Sequence, residues 1–481
     1  MRRLAIWTLL LLLLGGVACA RAEKMVTLTF TGDCTLGSEE RKRAQPASFD
    51  SKAAEMGYDY FFRNYQELFA ADDATIINLE GVLSDSPAEE NKTKTYRFRG
   101  PREFVNIIKS VSIEAAVLAN NHTQDYGKQG LESTKDTLEG EGILWGRLNK
   151  ILYIDKGDIR VAVISMDSGS LNSSFDWLNS EIVRLKQEKL ADAVVIVYHG
   201  GSEYAARHND TQQRYVDNWT KRGADLVIMH HPHVVQGIGL VHGRTVCYSL
   251  GNFVFGGNCE IRTDFWRDIY NVTALYALVV QVDLYFSDDG EYQGQQVRLY
   301  PTFISGSADE TVNDYQPRLV SGAEAGRVLE AVQYDTPFML PVPDETGCVH
   351  LPYLRADGST HAPRVRNVLA KAEEKKETTE PEPVPAMEPG TRTIRLTPGG
   401  MVLETEPEWT GVTQEAAPVQ EQAPEEQTVE VTGTAVLPEG AWHHPPAQKV
   451  ERTRKYLIQP SQSGGKNEGG QSSEPIIEQG D

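Results

Sequence analysis

The chain has 481 residues and a formal net charge of -21. That length is too great for one small core, and that charge argues against nucleic acid as a partner, because phosphate binding calls for a basic footprint. Five cysteines with no CxxC pair give no sequence support to thiolate zinc sites or thioredoxin-like chemistry.

The N-terminal stretch "MRRLAIWTLLLLLLGGVACARA" runs from two arginines through an apolar segment to small residues, the build of an export signal. Residues 1–22 are expected to be a signal peptide cleaved after Ala20 or Ala22, or a lipoprotein signal ending at Cys19. An uncleaved anchor ranks below these, since the apolar run is shorter than the ~20 residues of a membrane span. The protein is therefore expected outside the cytoplasm, extracellular or at the cell surface, secreted or membrane-anchored. Cys34, Cys247, Cys259 and Cys348 remain, an even set for which an oxidising compartment allows a disulfide.

Short β-branched runs follow: "MVTLTF", "ATIIN", "EAAVLA", "IRVAVIS", "DAVVIVY", "ADLVIM" and "TVCYSL". Segments with helical periodicity, such as "FVNIIKS" and "LNSEIVRLKQEKL", lie between several of them. Strands alternating with helices predict an α/β protein with largely buried sheets. After Asn252, "TALYALVVQVDLYF" and "GEYQGQQVRLYPTFIS" predict an antiparallel hairpin, and "EAGRVLEAVQ" a late helix. The folded unit is expected over residues 23–370. Residues 371–481 are rich in Glu, Pro, Gln and Ser, a composition that buries too little apolar surface to fold, so a disordered tail is expected. "TRTIRLTPGGMVLE" reads as a small strand pair inside it.

Five strands end in side chains that bind metals: Asp33, Glu80, Asn121 with His122, His199, and the run His230-His231-Pro232-His233. Taken alone, the Asp33, Glu80 and Asn121 endings are better explained as turns, caps or loops, and His199 is evenly balanced. The triple histidine already favours a ligand, because His231 and His233, two apart, can face one cation. Together they fall where ligands of open α/β sheets bind, beyond the carboxyl ends of the strands. Carboxylate, amide oxygen and imidazole suit one or two borderline divalent ions such as zinc, manganese or iron, and offer too few oxygens for calcium. Six candidate ligands, Asp33, Glu80, Asn121, His199, His231 and His233, suffice for two ions sharing a carboxylate. Such a pair suits metal-assisted hydrolysis.

The motifs "FTGDCTLG", "NLEGVL", "LANNHTQDYG", "YHGGSEY", "GADLVIMHHPHVVQG" and "YSLGNFVF", with "YRFRGP" and "NDYQPRLVSGAEAGRVLEAV", resemble the bacterial capsule synthesis family of CapA or poly-γ-glutamate type, within the calcineurin-like metallophosphoesterases. The resemblance covers roughly residues 25 to 340. It implies a four-layer α/β/β/α sandwich, the six ligands above, and His122 as the catalytic histidine that steadies the transition state or protonates a leaving oxygen. It also implies that Asp125, Glu203, Tyr204 and Asn252 orient ligands, with Gly127 in the loop after the histidine. Departures are Thr35 where the wider superfamily carries a histidine, Glu80 in place of aspartate, and Gly200 where the family commonly has tryptophan.

Two functions are consistent with this pattern. One is an exported metal-dependent hydrolase acting on a phosphoester or on an amide of an anionic envelope polymer. The other is a non-catalytic surface assembly or export factor in a membrane-associated synthesis complex.

Overall fold

The structure, a computed structural model, describes residues 23–257, 259, 274–309 and 311–366, together with the backbone of 395–397 and 400–402. The expected signal at 1–22 lies outside these residues, as does the tail apart from one strand pair. The chain divides into two units, Met1–Pro385 and Ala386–Asp481. In the second, Arg395–Thr397 pairs antiparallel with Gly400–Val402, with Leu396 opposite Met401.

The first unit is a mixed α/β protein with two large sheets. Its main strands are β1 (Lys24–Thr35), β2 (Ala74–Leu79), β3 (Ala115–Val117), β4 (Ile159–Asp167), β5 (Ala193–His199), β6 (Leu226–His230), β7 (Asn252–Phe255), β8 (Tyr276–Phe286) and β9 (Tyr292–Phe303). The first sheet runs β9-β8-β1-β2-β3, with β7 parallel to the end of β1. The second places β6, β5 and β4 side by side and parallel. The expected hairpin is present as β8 and β9, and β8 lies antiparallel beside β1.

Alternation along the strands decides what each sheet face touches. Val26, Leu28 and Phe30 of β1, Ala74 and Ile76 of β2, Val195 and Val197 of β5, and Leu226 and Ile228 of β6 share one apolar cluster, so these faces of the two sheets pack together. The residues between them point the other way. Ile77 and Leu79 join Phe49, Phe61, Phe69 and Ile108 in a second cluster. Ile164, Ile196, Val227 and Met229 join Leu178, Ile182, Val216 and Trp219 in a third.

The helices of the third cluster are α2 (Ser168–Gln187) and α3 (Asp210–Arg222); α1 (Gly127–Gly140) follows the "NNHTQDYG" loop, and α4 (Gly322–Gln333) is the late helix. The "LNSEIVRLKQEKL" helix starts earlier than its periodicity suggests, because Asp167 caps Ser168 by accepting from Ser170 N. Helix α3 buries Gln212, Val216, Trp219 and Thr220 at helical spacing and is closed at both ends. Asn209 and Gln212 form a capping box, and Gly223 closes it at φ 115°. The four described cysteines, Cys34, Cys247, Cys259 and Cys348, are buried and free, so the allowed disulfide is not formed among them.

One buried ion pair ties β8 to β9. Arg298 Nη1 and Nη2 donate to Asp283 at 2.6 and 2.8 Å, Gln281 Oε1 accepts from the same guanidinium, and Thr27 Oγ1 of β1 donates to Asp283. Burial alone would raise the Asp283 carboxyl, but Arg298 outweighs it and holds it below the usual range. Because the folded value is depressed, this stabilisation is present above the ordinary carboxyl pKa and is lost as pH falls through the folded one. Arg298→Ala is expected to cost about 3–5 kcal/mol at neutral pH by leaving Asp283 buried without its main partner. Denaturant midpoints measure it, and a loss below about 1 kcal/mol would contradict the assignment.

Candidate metal centre

The centre forms where the facing surfaces of the two sheets end. Continuing the inward positions, β2 reaches Asn78, β5 reaches His199 and β6 reaches His230. Strand β1 would miss by parity, since Asp33 is three residues beyond the inward Phe30. A bulge corrects it: Phe30 pairs with Ile76 and Asp33 with Asn78, so three steps on β1 match two on β2. Gly32 sits in that bulge because a Cβ there would lie 2.3 Å from Gly251 O, and the Asp33 amide donates to the same oxygen at 2.9 Å.

Asp33 is fully buried. Asn78 Nδ2 donates to its Oδ1 at 2.8 Å, His230 Nδ1 lies 3.0 Å from Oδ1, and His233 Nδ1 lies 3.4 Å from Oδ2. Burial would raise this carboxyl, but bonding to His230 and His233 and the charge of nearby imidazoles hold it well below the usual range. The loops after the strands add the rest. Asn121 Oδ1 lies 2.9 Å from His199 Nε2, and His199 Nε2 lies 3.2 Å from His231 Nδ1. His233 Nδ1 also meets Asn252 Oδ1 at 2.8 Å. His231 and His233 have positive φ, 98° and 58°, a backbone strain held at the end of β6.

Glu80 differs from Asp33, the other carboxylate of the centre. It is 0 % exposed, and neither carboxylate oxygen has a hydrogen-bond partner. Its Oε1 is 3.4 Å from His199 Nε2 and 3.9 Å from His122 Nε2, contacts outside hydrogen-bond geometry. Burial first, and Asp33 second, push its carboxyl up to about 7. His199 and His231 are held down at about 3, chiefly by burial, so each is a neutral imidazole with a lone pair on one ring nitrogen at neutral pH. Burial also lowers His233, but Glu80 and Asp33 outweigh it and raise it to about 9.

Two sets of ligand atoms, Asp33–Glu80–His233 and Glu80–His199–His231, each lie within 4.8 Å of one another and share Glu80. Glu203 forms a third set with His231 and His233, which makes it a potential ligand as well as an orienting group. Tyr204, at φ 58°, donates its amide to Pro232 O and sets its ring 5.8 Å from His233. His122 is oriented from behind: its Nδ1 lies 2.6 Å from Asp125 Oδ2, and Phe98 packs on its ring at 4.6 Å. The buried Asp125 also accepts from the Phe98 amide and from Lys94. Glu89 packs against Gly127, where an added Cβ would meet Glu89 Oε2 at 2.4 Å.

All the residues singled out from the sequence therefore gather around Asp33 and Glu80 or directly behind them. Asn78 and Asn120 were not singled out, and His230 was noted in the histidine run but not counted among the six ligands. His230 was legible, since Leu226, Ile228 and His230 share one strand face. Asn120, which donates to Asn78 Oδ1 and Leu79 O, has no such signal, because only the folded loop brings it there.

Residues 27–257 match the family model "Bacterial capsule synthesis protein PGA_cap". The chain is 28% identical over 262 residues to the capsule biosynthesis protein CapA of Bacillus anthracis, covering 49% of this chain and 61% of that one. It is 27% identical over 253 residues to the PGA biosynthesis protein CapA of Bacillus subtilis strain 168, covering 49% and 64%. A probable polyglutamine synthesis accessory protein of Mycobacterium tuberculosis is 22% identical over 40% of this chain and 60% of its own. The chain thus spans about three fifths of the length of these curated relatives. A solved hypothetical protein from Thermus thermophilus overlaps 57% of this chain and 99% of its own at 14% identity, with a TM-score of 0.34 that is too low to carry a fold assignment. The matched segment begins inside β1, before Asp33, and ends two residues beyond β7, so it encloses every residue of the centre described above, and it is this segment, 27–257, that belongs to the bacterial capsule synthesis protein family of CapA type.

Proposed function

We propose that this chain is an exported protein of capsule or envelope polymer biosynthesis, of poly-γ-glutamate type, and that its metal centre hydrolyses a phosphoester or an amide of an anionic envelope polymer. The family and the names of the relatives support the process. The basic and apolar N-terminal segment supports export, and no helix among the described residues is long and apolar enough to cross a membrane. The three apolar clusters support a four-layer reading of metallophosphoesterase type, with helices outside two facing sheets.

Glu80 carries the metal reading. A carboxylate buried without a partner costs several kcal/mol, and folds keep such groups where a cation compensates them. The neutral lone pairs of His199 and His231 and the carboxylate of Asp33 complete a mixed oxygen and nitrogen set that fits zinc, manganese or iron. Asp33, Glu80 and His233 would hold one ion, and Glu80, His199 and His231, with Asn121 beside them, a second. A bound cation would supply Lewis-acid polarisation of a substrate oxygen.

The chain's own residues do the remaining work. Asp125 holds the proton on His122 Nδ1 and sets the ring's direction, so Nε2 faces the centre and, when the ring is doubly protonated, would deliver its proton to a leaving oxygen. Asn252 orients His233, and Asn78 orients Asp33.

Metal analysis of the purified full chain is expected to find a bound divalent ion, and Glu80→Gln is expected to lose at least one equivalent. A Glu80→Gln protein with full metal content would overturn the reading. Asn252→Ala is expected to weaken metal affinity by about 10–100-fold, measured by chelator competition. With phosphodiesters, phosphomonoesters and γ-glutamyl polymers as substrates, His122→Ala is expected to lower kcat by about 10²–10⁴ while keeping its metal. Metal-loaded wild type that turns over none of these substrates would favour the non-catalytic assembly role instead.

A further inference from the structure

A second group of ligand-type side chains stands apart from this centre and shares no residue with it. The short strand Val349–His350 pairs antiparallel with β9, with Leu299 opposite Val349. The loop before it is closed by its own backbone: Asp344 N donates to Cys348 O at 2.9 Å, and Gly347 N donates to Asp344 O at 3.0 Å. Gly347 takes φ 88°, where a Cβ would lie 2.2 Å from Val320 O, so only glycine makes this turn. Asp344 Oδ1 accepts from Thr346 and from the Cys348 amide.

We propose that Asp344, Cys348 and His350 form a second cation site that takes a borderline divalent ion of the zinc class. One ligand atom from each lies within 4.8 Å of the others. Asp344 Oδ1 is occupied by the turn, which leaves Oδ2 facing His350 Nε2 at 3.1 Å. Cys348 and His350, two apart around the short strand, bring thiol and imidazole to the same side as Asp344 Oδ2. Cys348 is 2 % exposed and forms no disulfide. A single thiolate, an imidazole and a carboxylate match the ligand types and number of an open zinc site, without the CxxC spacing that identifies such sites in sequence.

The test is cobalt(II) titration of the full chain, followed by absorption, because a thiolate ligand adds a sulfur-to-cobalt charge-transfer band that oxygen and nitrogen ligands lack. The parent is expected to show this band. Cys348→Ser is expected to abolish it, His350→Gln to weaken cobalt binding at least tenfold, and Glu80→Gln to leave the band intact. His350→Gln keeps the thiol and the turn, so it reports on binding should Cys348→Ser fold poorly. The proposal is overturned if the parent shows no band, if the band survives Cys348→Ser, or if Glu80→Gln removes it, which would place the thiolate at the first centre through Cys34.

Discussion

The centre depends on one irregularity in β1. Strand alternation sends Val26, Leu28 and Phe30 between the sheets, and without the bulge before Asp33 its carboxylate would turn to the outer face. There it would join an apolar layer of phenylalanines and isoleucines, with nothing to offset its burial. With the bulge it meets Asn78 and His230, the last inward side chains of β2 and β6. Gly32 makes this geometry available because its backbone lies against Gly251 O, where a side chain would collide.

A second consequence is electrostatic. Asp33 and Glu80 are both 0 % exposed, and two carboxylates at that depth raise one another's proton affinity unless a positive charge intervenes. The protein divides the burden unevenly. Asp33 takes the hydrogen bonds of Asn78 Nδ2 and the His231 amide, with His230 Nδ1 3.0 Å away, and is held well below the usual carboxyl range, whereas Glu80 is left without donors and is pushed up to about 7. His199 and His231 are kept neutral beside it. An ordinary buried ion pair would give Glu80 its own donors. This arrangement instead leaves lone pairs converging from several loops, and the strain at His231 and His233 is the backbone cost of aiming them.

The periphery shows how orientation is built outward. His122 does not face the centre by its own rotamer preference alone; Asp125 grips its Nδ1, and Asp125 is in turn held by Lys94 and by the Phe98 amide. His233 depends on Asn252 in the same way, and Asn252 arrives on β7, which pairs with β1 at Asp33. The segments around 98, 125 and 252 are therefore coupled to the site through hydrogen bonds to their side chains and backbone.

The alternation of strands and helices, the hairpin after Asn252 and a set of ligand-type residues at strand ends were all legible in the linear chain. Local patterns carry these, because the period of two and the residues that stop a strand are written within a few positions of each other. Helix α3 was not singled out, although Val216, Trp219 and Thr220 repeat at helical spacing on its buried face and Asn209 and Gly223 mark its ends. Which oxygens and nitrogens share a space was settled by folding alone. The parity shift at Gly32 requires Gly251, more than two hundred residues away, and Glu80 lacks a partner only because the loops around it fold as they do. Long-range contact sets both, and no stretch of a few residues contains it.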